Sequence, residues 1–154
     1  MSQPTPPATD VDPLEPLLCF DLYAASRSLT AAYRPVLAEF DLTYPQYLVL
    51  VVLAARTDAV PIKHLRDTLH LDHATLTPLL RRLEAAGLLT RERSTLDERS
   101  VEVALTAHGR SIASHFDAVQ CRVSEILGLP EQDVATLRDL LHRVNASALA
   151  SLED

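Results

Sequence analysis

Glycine is scarce in this chain, with three among 154 residues, and tryptophan is absent. Beside abundant Ala, Leu and Val, that scarcity argues against a turn-rich all-β protein and for a mostly helical one. No uninterrupted apolar run reaches the about 18 residues of a transmembrane helix, so no membrane association is expected. Residues 1–13 (MSQPTPPATDVDP) lack both the basic start and the apolar stretch of a secretory signal. They read as a disordered, partly extended arm, and the protein is expected in the cytoplasm. Two cysteines in a reducing compartment are too few for a structural disulfide framework, so each needs another explanation. Basic residues are also short: 14 against 21 acidic, for a net charge of −7.

That deficit is not uniform. Residues 1–60 carry 3 basic and 7 acidic side chains, residues 61–110 carry 8 and 7, and residues 111–154 carry 3 and 7. If any part of the chain meets phosphates, it is the middle. Hydrophobic residues at 47% and charged residues at 23% fit one soluble globular domain.

Apolar residues recur at helical spacing from Leu14 through Leu18, Leu22, Ala25, Leu29 and Ala32, and Pro35 is expected to break this helix near Tyr33–Arg34. Thr43–Tyr44–Pro45 starts a second helix, apolar on most sides from Gln46 to Ala55. Pro61 opens a short helix over Ile62–His70. Asp72 is placed to cap another over His73–Ala86, which ends at Gly87. Leu76, Leu79, Leu80 and Leu83 share one face of it, with Thr77, Pro78, Arg81, Arg82 and Ala85 opposite. Two short helices joined by a tight turn read as helix-turn-helix, although Pro78 counts against a regular second helix. The period then changes to that of strands over Leu88–Arg93 and Ser100–Thr106, with a polar hairpin loop between them, which makes a wing. Thr106 is placed to cap a long helix over Ala107–Leu127, Gly128–Leu129–Pro130 breaks it, and a last helix covers Glu131–Leu152.

The expected fold is mainly α with a small β-hairpin: a winged helix-turn-helix over 61–106, flanked by helical arms over 14–60 and 107–154 that form a single domain with it. Long terminal helices with apolar stripes call for a partner surface, and a second copy supplies one, so the arms read as dimerisation helices.

Several strings carry a resemblance. The order of elements, with Asp97–Glu98–Arg99 in the wing, resembles the MarR family of bacterial regulators. LCFDLYAASR (18–27), AYRPVL (32–37), LTYPQYLVL (42–50), TLTPLLRRLEAAGL (75–88) and DERSVEVALT (97–106) are similar, within that family, to the organic-hydroperoxide resistance repressors (OhrR). The resemblance runs from about Leu17 to Arg110. It implies a homodimeric, non-enzymatic DNA-binding repressor that releases a pseudo-palindromic double-stranded operator when an organic hydroperoxide oxidises a reactive cysteine. Cys19 matches that cysteine. Tyr33 and Tyr44 match tyrosines that reach it from the other subunit, and Arg99 matches the arginine that enters the minor groove. The recognition helix departs from the pattern, with His73–Ala74 in place of Ser-Gly. Cys121 lies about two turns before the resolving cysteine of two-cysteine members, which leaves its role open.

The residues themselves bear on these roles. A helix start favours thiolate at Cys19, and phenol donors would stabilise it further. The alternative is that Cys19 is a small core residue. Resolving thiol and inert packing are both open for Cys121. Tyr23, one turn from Cys19, is a further pocket candidate, and Tyr33, Tyr44 and Tyr47 have simple packing as their alternative. Thr75, Thr77 and His73 are candidates for base edges, while Lys63, Arg81 and Arg82 are placed for phosphates. Asp97 would hold the wing loop or pair with Arg99. The six histidines show no zinc spacing, so neither metal nor cofactor is expected. Rival readings are a repressor released by a small aromatic ligand or by hypochlorite, a thiol peroxidase, and a helical adaptor without DNA binding.

Overall fold

The computed structural model describes residues 12–95, 97 and 99–152. The expected arm over 1–13 falls, for its first eleven residues, outside the described residues, as do Leu96 and Glu98 of the wing loop.

The described residues begin with two turns rather than a helix. The Asp12 carboxylate accepts the Leu14 N–H at 2.9 Å, and Leu17 N–H reaches Leu14 O at 2.9 Å. Pro16 biases Glu15 out of the helical region, so helix α1 begins at Leu18 and not at Leu14. It runs Leu18–Leu37, straight through Pro35. The expected break near Tyr33 does not occur because Pro35 sits in the last turn, where little helix remains to be lost, and the buried Val36 and Leu37 anchor that turn in the core.

A 3₁₀ turn over Ala38–Phe40 ends with Asp41 in the left-handed region (φ 54°) and leads into α2, Tyr44–Ala54. Gln46 Oε1 accepts both the Thr43 backbone N–H (2.8 Å) and the Thr43 hydroxyl (3.1 Å), which fixes the start of α2. As its composition requires, α2 buries Tyr47, Val49, Leu50 and Leu53 at the centre of the molecule.

The helix-turn-helix follows as α3, Ile62–Leu69, and α4, His73–Ala85. His70 adopts the left-handed conformation (φ 52°) that turns one helix toward the next. α4 continues through Pro78, which is exposed, while Leu76, Leu80 and Leu83 on the opposite face are buried. The objection raised by Pro78 is met by packing: three buried leucines outweigh one missing backbone bond.

The wing is larger than expected. Strands β2 (Leu89–Arg93) and β3 (Val101–Leu105) pair antiparallel, with Leu89 opposite Leu105 and Arg93 opposite Val101. A two-residue strand β1 (Val60–Pro61) adds to the other edge of β3 in the order β1-β3-β2. So short a strand has no periodicity to read, and Pro61 conceals it further.

The long helix expected over 107–127 is two helices, α5 (Ala107–Ala113) and α6 (Phe116–Leu127). Ser114 Oγ donates to Ser111 O at 2.7 Å, and the His115 ring lies 3.0 Å from the same carbonyl and against Phe40. Such local side-chain bonds to backbone compete with the helical ladder and bend it. Gly128 in the left-handed region (φ 60°) closes α6. α7 (Glu131–Ala150) then buries no residue at all. Among the described residues no single helix is long and apolar enough to cross a membrane.

Candidate functional site

The face of α4 turned away from the core carries the residues expected to meet DNA. Asp72 Oδ1 accepts the Thr75 N–H at 2.7 Å, and hydrogen bonding from the Thr75 side chain and then its backbone holds the Asp72 carboxyl below the usual carboxylate range. The first turn is therefore fixed by an ionised cap. His73, Thr75, Arg81 and Arg82 are exposed along the helix and Thr77 is half-exposed. Among the described residues neither Arg81, Arg82, Lys63 nor Arg99 is in an ion pair. Their charges are available to a partner.

Behind α4, Glu84 binds Arg91 of β2 through Nε (2.8 Å) and Nη2 (2.7 Å), so α4 and the wing are braced to each other. In the wing loop the Asp97 carboxylate accepts the Arg99 backbone N–H at 3.0 Å, and the Asp97 carbonyl accepts Ser100 N–H at 2.8 Å. Of the two roles open to Asp97, the structure has the first: it shapes the loop and leaves the Arg99 guanidinium unpaired among the described residues. A groove of about 240 Å³ lies between α3, the start of α4 and the wing loop. Lys63, Arg66, His73 and Arg99 line it. Arg66, which no sequence motif singles out, is partly neutralised by Asp67 at 3.0 Å.

The thiol candidates lie on the flanking helices. Cys19, in the first turn of α1, is exposed. It is therefore not core packing in the single chain. Tyr23, one turn on, is exposed too, and its hydroxyl accepts from Arg27 at 3.1 Å. Tyr33 and Tyr44 are together, with ring centroids 4.7 Å apart, and Tyr47 joins them at 5.6 Å from Tyr33. Burial raises all three phenols above their usual range, and for Tyr33 the neighbouring Tyr47 and Tyr44 add to the rise. They remain O–H donors at any neutral pH.

Cys19 is not with them. At 1.5 Å per residue, α1 separates positions 19 and 33 by about 21 Å. Cys121, on α6, belongs to the tyrosine end. Its neighbour Gln120 donates to the Tyr47 hydroxyl, and its other neighbour Arg122 pairs with Glu39 at 2.7 Å, just past the C-terminus of α1. The Cys121 thiol is exposed, 3.9 Å from Glu125 Oε1. Because a disulfide needs Cα atoms within about 7 Å, Cys19 and Cys121 of one chain are too far apart to join. The contact of Gln120 with the tyrosines has no sequence signal; only the packing of α6 on α1 creates it.

Residues 31–116 match the family of SarA/Rot transcriptional regulators. The chain is 42% identical over 127 residues to the organic hydroperoxide resistance transcriptional regulator of Bacillus subtilis, covering 82% of this chain and 84% of that one. It is 41% identical over 140 residues to the HTH-type transcriptional regulator TtmR of Methylorubrum extorquens, covering 86% and 71%. Among solved structures it resembles AbfR of Staphylococcus epidermidis at 29% identity and a TM-score of 0.70, over 89% and 94% of the two chains. Reduced AbfR bound to DNA gives 32% identity and a TM-score of 0.71, over 88% and 94%. AbfR is also known overoxidised on DNA and in a disulfide-formed state.

Proposed function

We infer, from a chain that belongs to the SarA/Rot family of MarR-like winged-helix transcriptional regulators, a homodimeric DNA-binding repressor that an organic hydroperoxide releases by oxidising Cys19. The observation that carries this reading is the separation along α1. An exposed thiol at one end and a cluster of three protonated phenols at the other meet only if two chains pack antiparallel along this helix. Leu17, Leu18 and Phe20 at the start of α1 and Leu137, Leu140, Leu141 and Val144 on α7 are exposed in the single chain and provide the apolar surface for that packing. The arms over 14–60 and 107–154 are then the dimerisation unit, and the winged helix over 61–106 reads the operator.

In the dimer, Tyr33 and Tyr44 of the partner subunit donate to the Cys19 thiolate. The thiolate attacks one peroxide oxygen of ROOH. A sulfur–oxygen bond forms, the O–O bond breaks, and the alcohol ROH leaves after taking a proton. Sulfur is oxidised by two electrons to the sulfenic acid. A second thiol, from Cys121 of the partner subunit or from a small thiol, then condenses with it, forming a disulfide and releasing water. The sulfenic acid no longer accepts the phenol hydrogen bonds as a thiolate does. The interface shifts, and with it the spacing of the two recognition helices, which must stay near 34–36 Å to engage both half-sites. The redox states known for AbfR and the name of the Bacillus relative support an oxidant as trigger.

The test uses duplexes selected by the reduced protein from a random library. Cumene hydroperoxide releases wild type, whereas Cys19→Ser stays bound. Release of Cys19→Ser at the wild-type peroxide concentration sinks the sensor. Release by a salicylate-like ligand or by hypochlorite alone moves the trigger to one of those. Non-reducing mass spectrometry of the released dimer identifies the thiol that pairs with Cys19.

A further inference from the structure

His73 is the first residue of α4, and its Nδ1 lies 3.3 Å from the Thr77 hydroxyl one turn later. The ionised Asp72 cap holds the backbone of that turn. We propose that His73 and Thr77 form one base-reading unit, whose hydrogen-bond polarity toward DNA is set by the proton on His73. This rests on α4 being the recognition helix of the proposed repressor.

The chemistry follows from the pair. With a neutral imidazole carrying its proton on Nε2, Nδ1 is an acceptor. Thr77 then spends its O–H on Nδ1, and its oxygen is left to accept from outside. In the major groove that fits an exocyclic amine, N6 of adenine or N4 of cytosine. In the imidazolium, Nδ1 also bears a proton and donates to Thr77 Oγ1. The Thr77 O–H is freed to donate outward, which fits O6 or N7 of guanine, O4 of thymine or N7 of adenine. One proton thus changes which bases fit without moving the helix, most sharply cytosine against guanine or thymine.

Charged groups from several elements face His73. Lys63 and Arg66 from α3 and Arg99 from the wing line the same groove. Asp67 pairs with Arg66, and the Asp72 carboxylate immediately precedes His73 at the cap. Imidazoles in general change charge between pH 5 and 8, the range over which the readout is compared. On α3, His64 and Thr68 form a similar pair at 3.4 Å, which serves as an internal control because α3 is not the reading helix.

The experiment is selection of binding sites from a random duplex library by the full-length reduced protein at about pH 5.8 and about pH 8. Wild type is expected to exchange C for G or T at one position per half-site, with a preference of about fivefold in each direction. His73→Ala and Thr77→Val give one consensus at both pH values, Thr77→Ser restores the exchange, and His64→Ala keeps it. An identical wild-type consensus at both pH values overturns the proposal while leaving the repressor reading intact. So does an affinity that rises on acidification equally for all sequences, since that marks a phosphate contact. Selection of no sequence at either pH sinks the repressor reading and this unit with it.

Discussion

Gly109 sits so close to Leu88 that a β-carbon on it would lie 2.0 Å from the Leu88 carbonyl oxygen. The approach is part of a knot between the end of α4 and the start of α5. Thr106 N–H donates to Leu88 O at 3.1 Å, the Thr106 hydroxyl donates to Gly87 O at 2.6 Å, and the same hydroxyl accepts Gly109 N–H at 3.0 Å. The wing and the arm that follows it are thereby locked to the recognition helix. Gly109→Ala must displace backbone, so it is expected to destabilise the protein by about 2 kcal/mol or more. Urea unfolding measures this, and wild-type stability in the alanine variant refutes the close approach.

The tyrosine cluster gives a prediction with a sign. Burial favours the neutral phenols of Tyr33, Tyr44 and Tyr47 in the folded chain. A raised acid group contributes its stability below the unfolded value of 10.0 and loses it as pH rises beyond that point. Chemical unfolding should therefore show stability falling above pH 10, and less steeply in Tyr33→Phe. The same substitution removes one proposed donor to the thiolate. Oxidation of Cys19 by cumene hydroperoxide, followed by mass spectrometry at neutral pH, should slow by about tenfold. An unchanged rate in the Tyr33→Phe, Tyr44→Phe double variant breaks the link between phenols and sulfur.

The parts of the fold legible in the sequence are those with strong local signals. Asp72, Thr106, Gly87 and Gly128 each mark a helix end where it falls. The leucine stripe on α4 identifies its buried face despite Pro78. What the sequence concealed depends on tertiary contact. Val36 and Leu37 hold α1 together past Pro35, Ser114 and His115 bend the helix after the wing, and β1 exists only because β3 offers it an edge. The same division holds at the site. Cys19, Tyr33 and Tyr44 come from local strings that resemble a known family. Gln120 reaches Tyr47 across 73 positions, and Arg66 enters the groove beside Arg99 only in the folded chain. His73 and Thr77 lie between these cases. Their spacing of one helical turn was visible, but not their contact.

The unburied α7 yields a prediction that separates assembly from folding. Leu137, Leu140, Leu141 and Val144 are 39–47% exposed in the single chain, so charge there costs the isolated fold little. In a dimer built through α7 the same charges are buried against apolar surface. Leu140→Glu with Leu141→Lys is expected to weaken dimerisation by about a hundredfold or more. Sedimentation velocity should then show a monomer with wild-type circular dichroism. A variant that remains fully dimeric at micromolar concentration removes α7 from the interface.

Arg82 and Arg99 carry equal charge but should fail differently on DNA. Arg82 is exposed in the last turn of α4, on the flank of the recognition face, where a guanidinium meets phosphate. Arg82→Ala should weaken binding to all duplexes by a similar factor, and should reduce the slope of log affinity against log salt by about 0.9. Arg99 sits at the wing tip, its backbone held by Asp97 and its side chain free of ion pairs among the described residues. A wing arginine in a narrow minor groove is attracted by the deeper negative potential of A·T-rich steps. Arg99→Ala should therefore lose most affinity on duplexes with A·T-rich flanks and little on G·C-rich ones, narrowing the gap between them by about fivefold or more. Fluorescence anisotropy of the reduced protein on matched duplex pairs, titrated over several salt concentrations, reads both quantities at once. If Arg99→Ala lowers affinity equally on the two flanks, with the same loss of salt slope as Arg82→Ala, the wing is a second phosphate clamp and contributes nothing to the choice of operator.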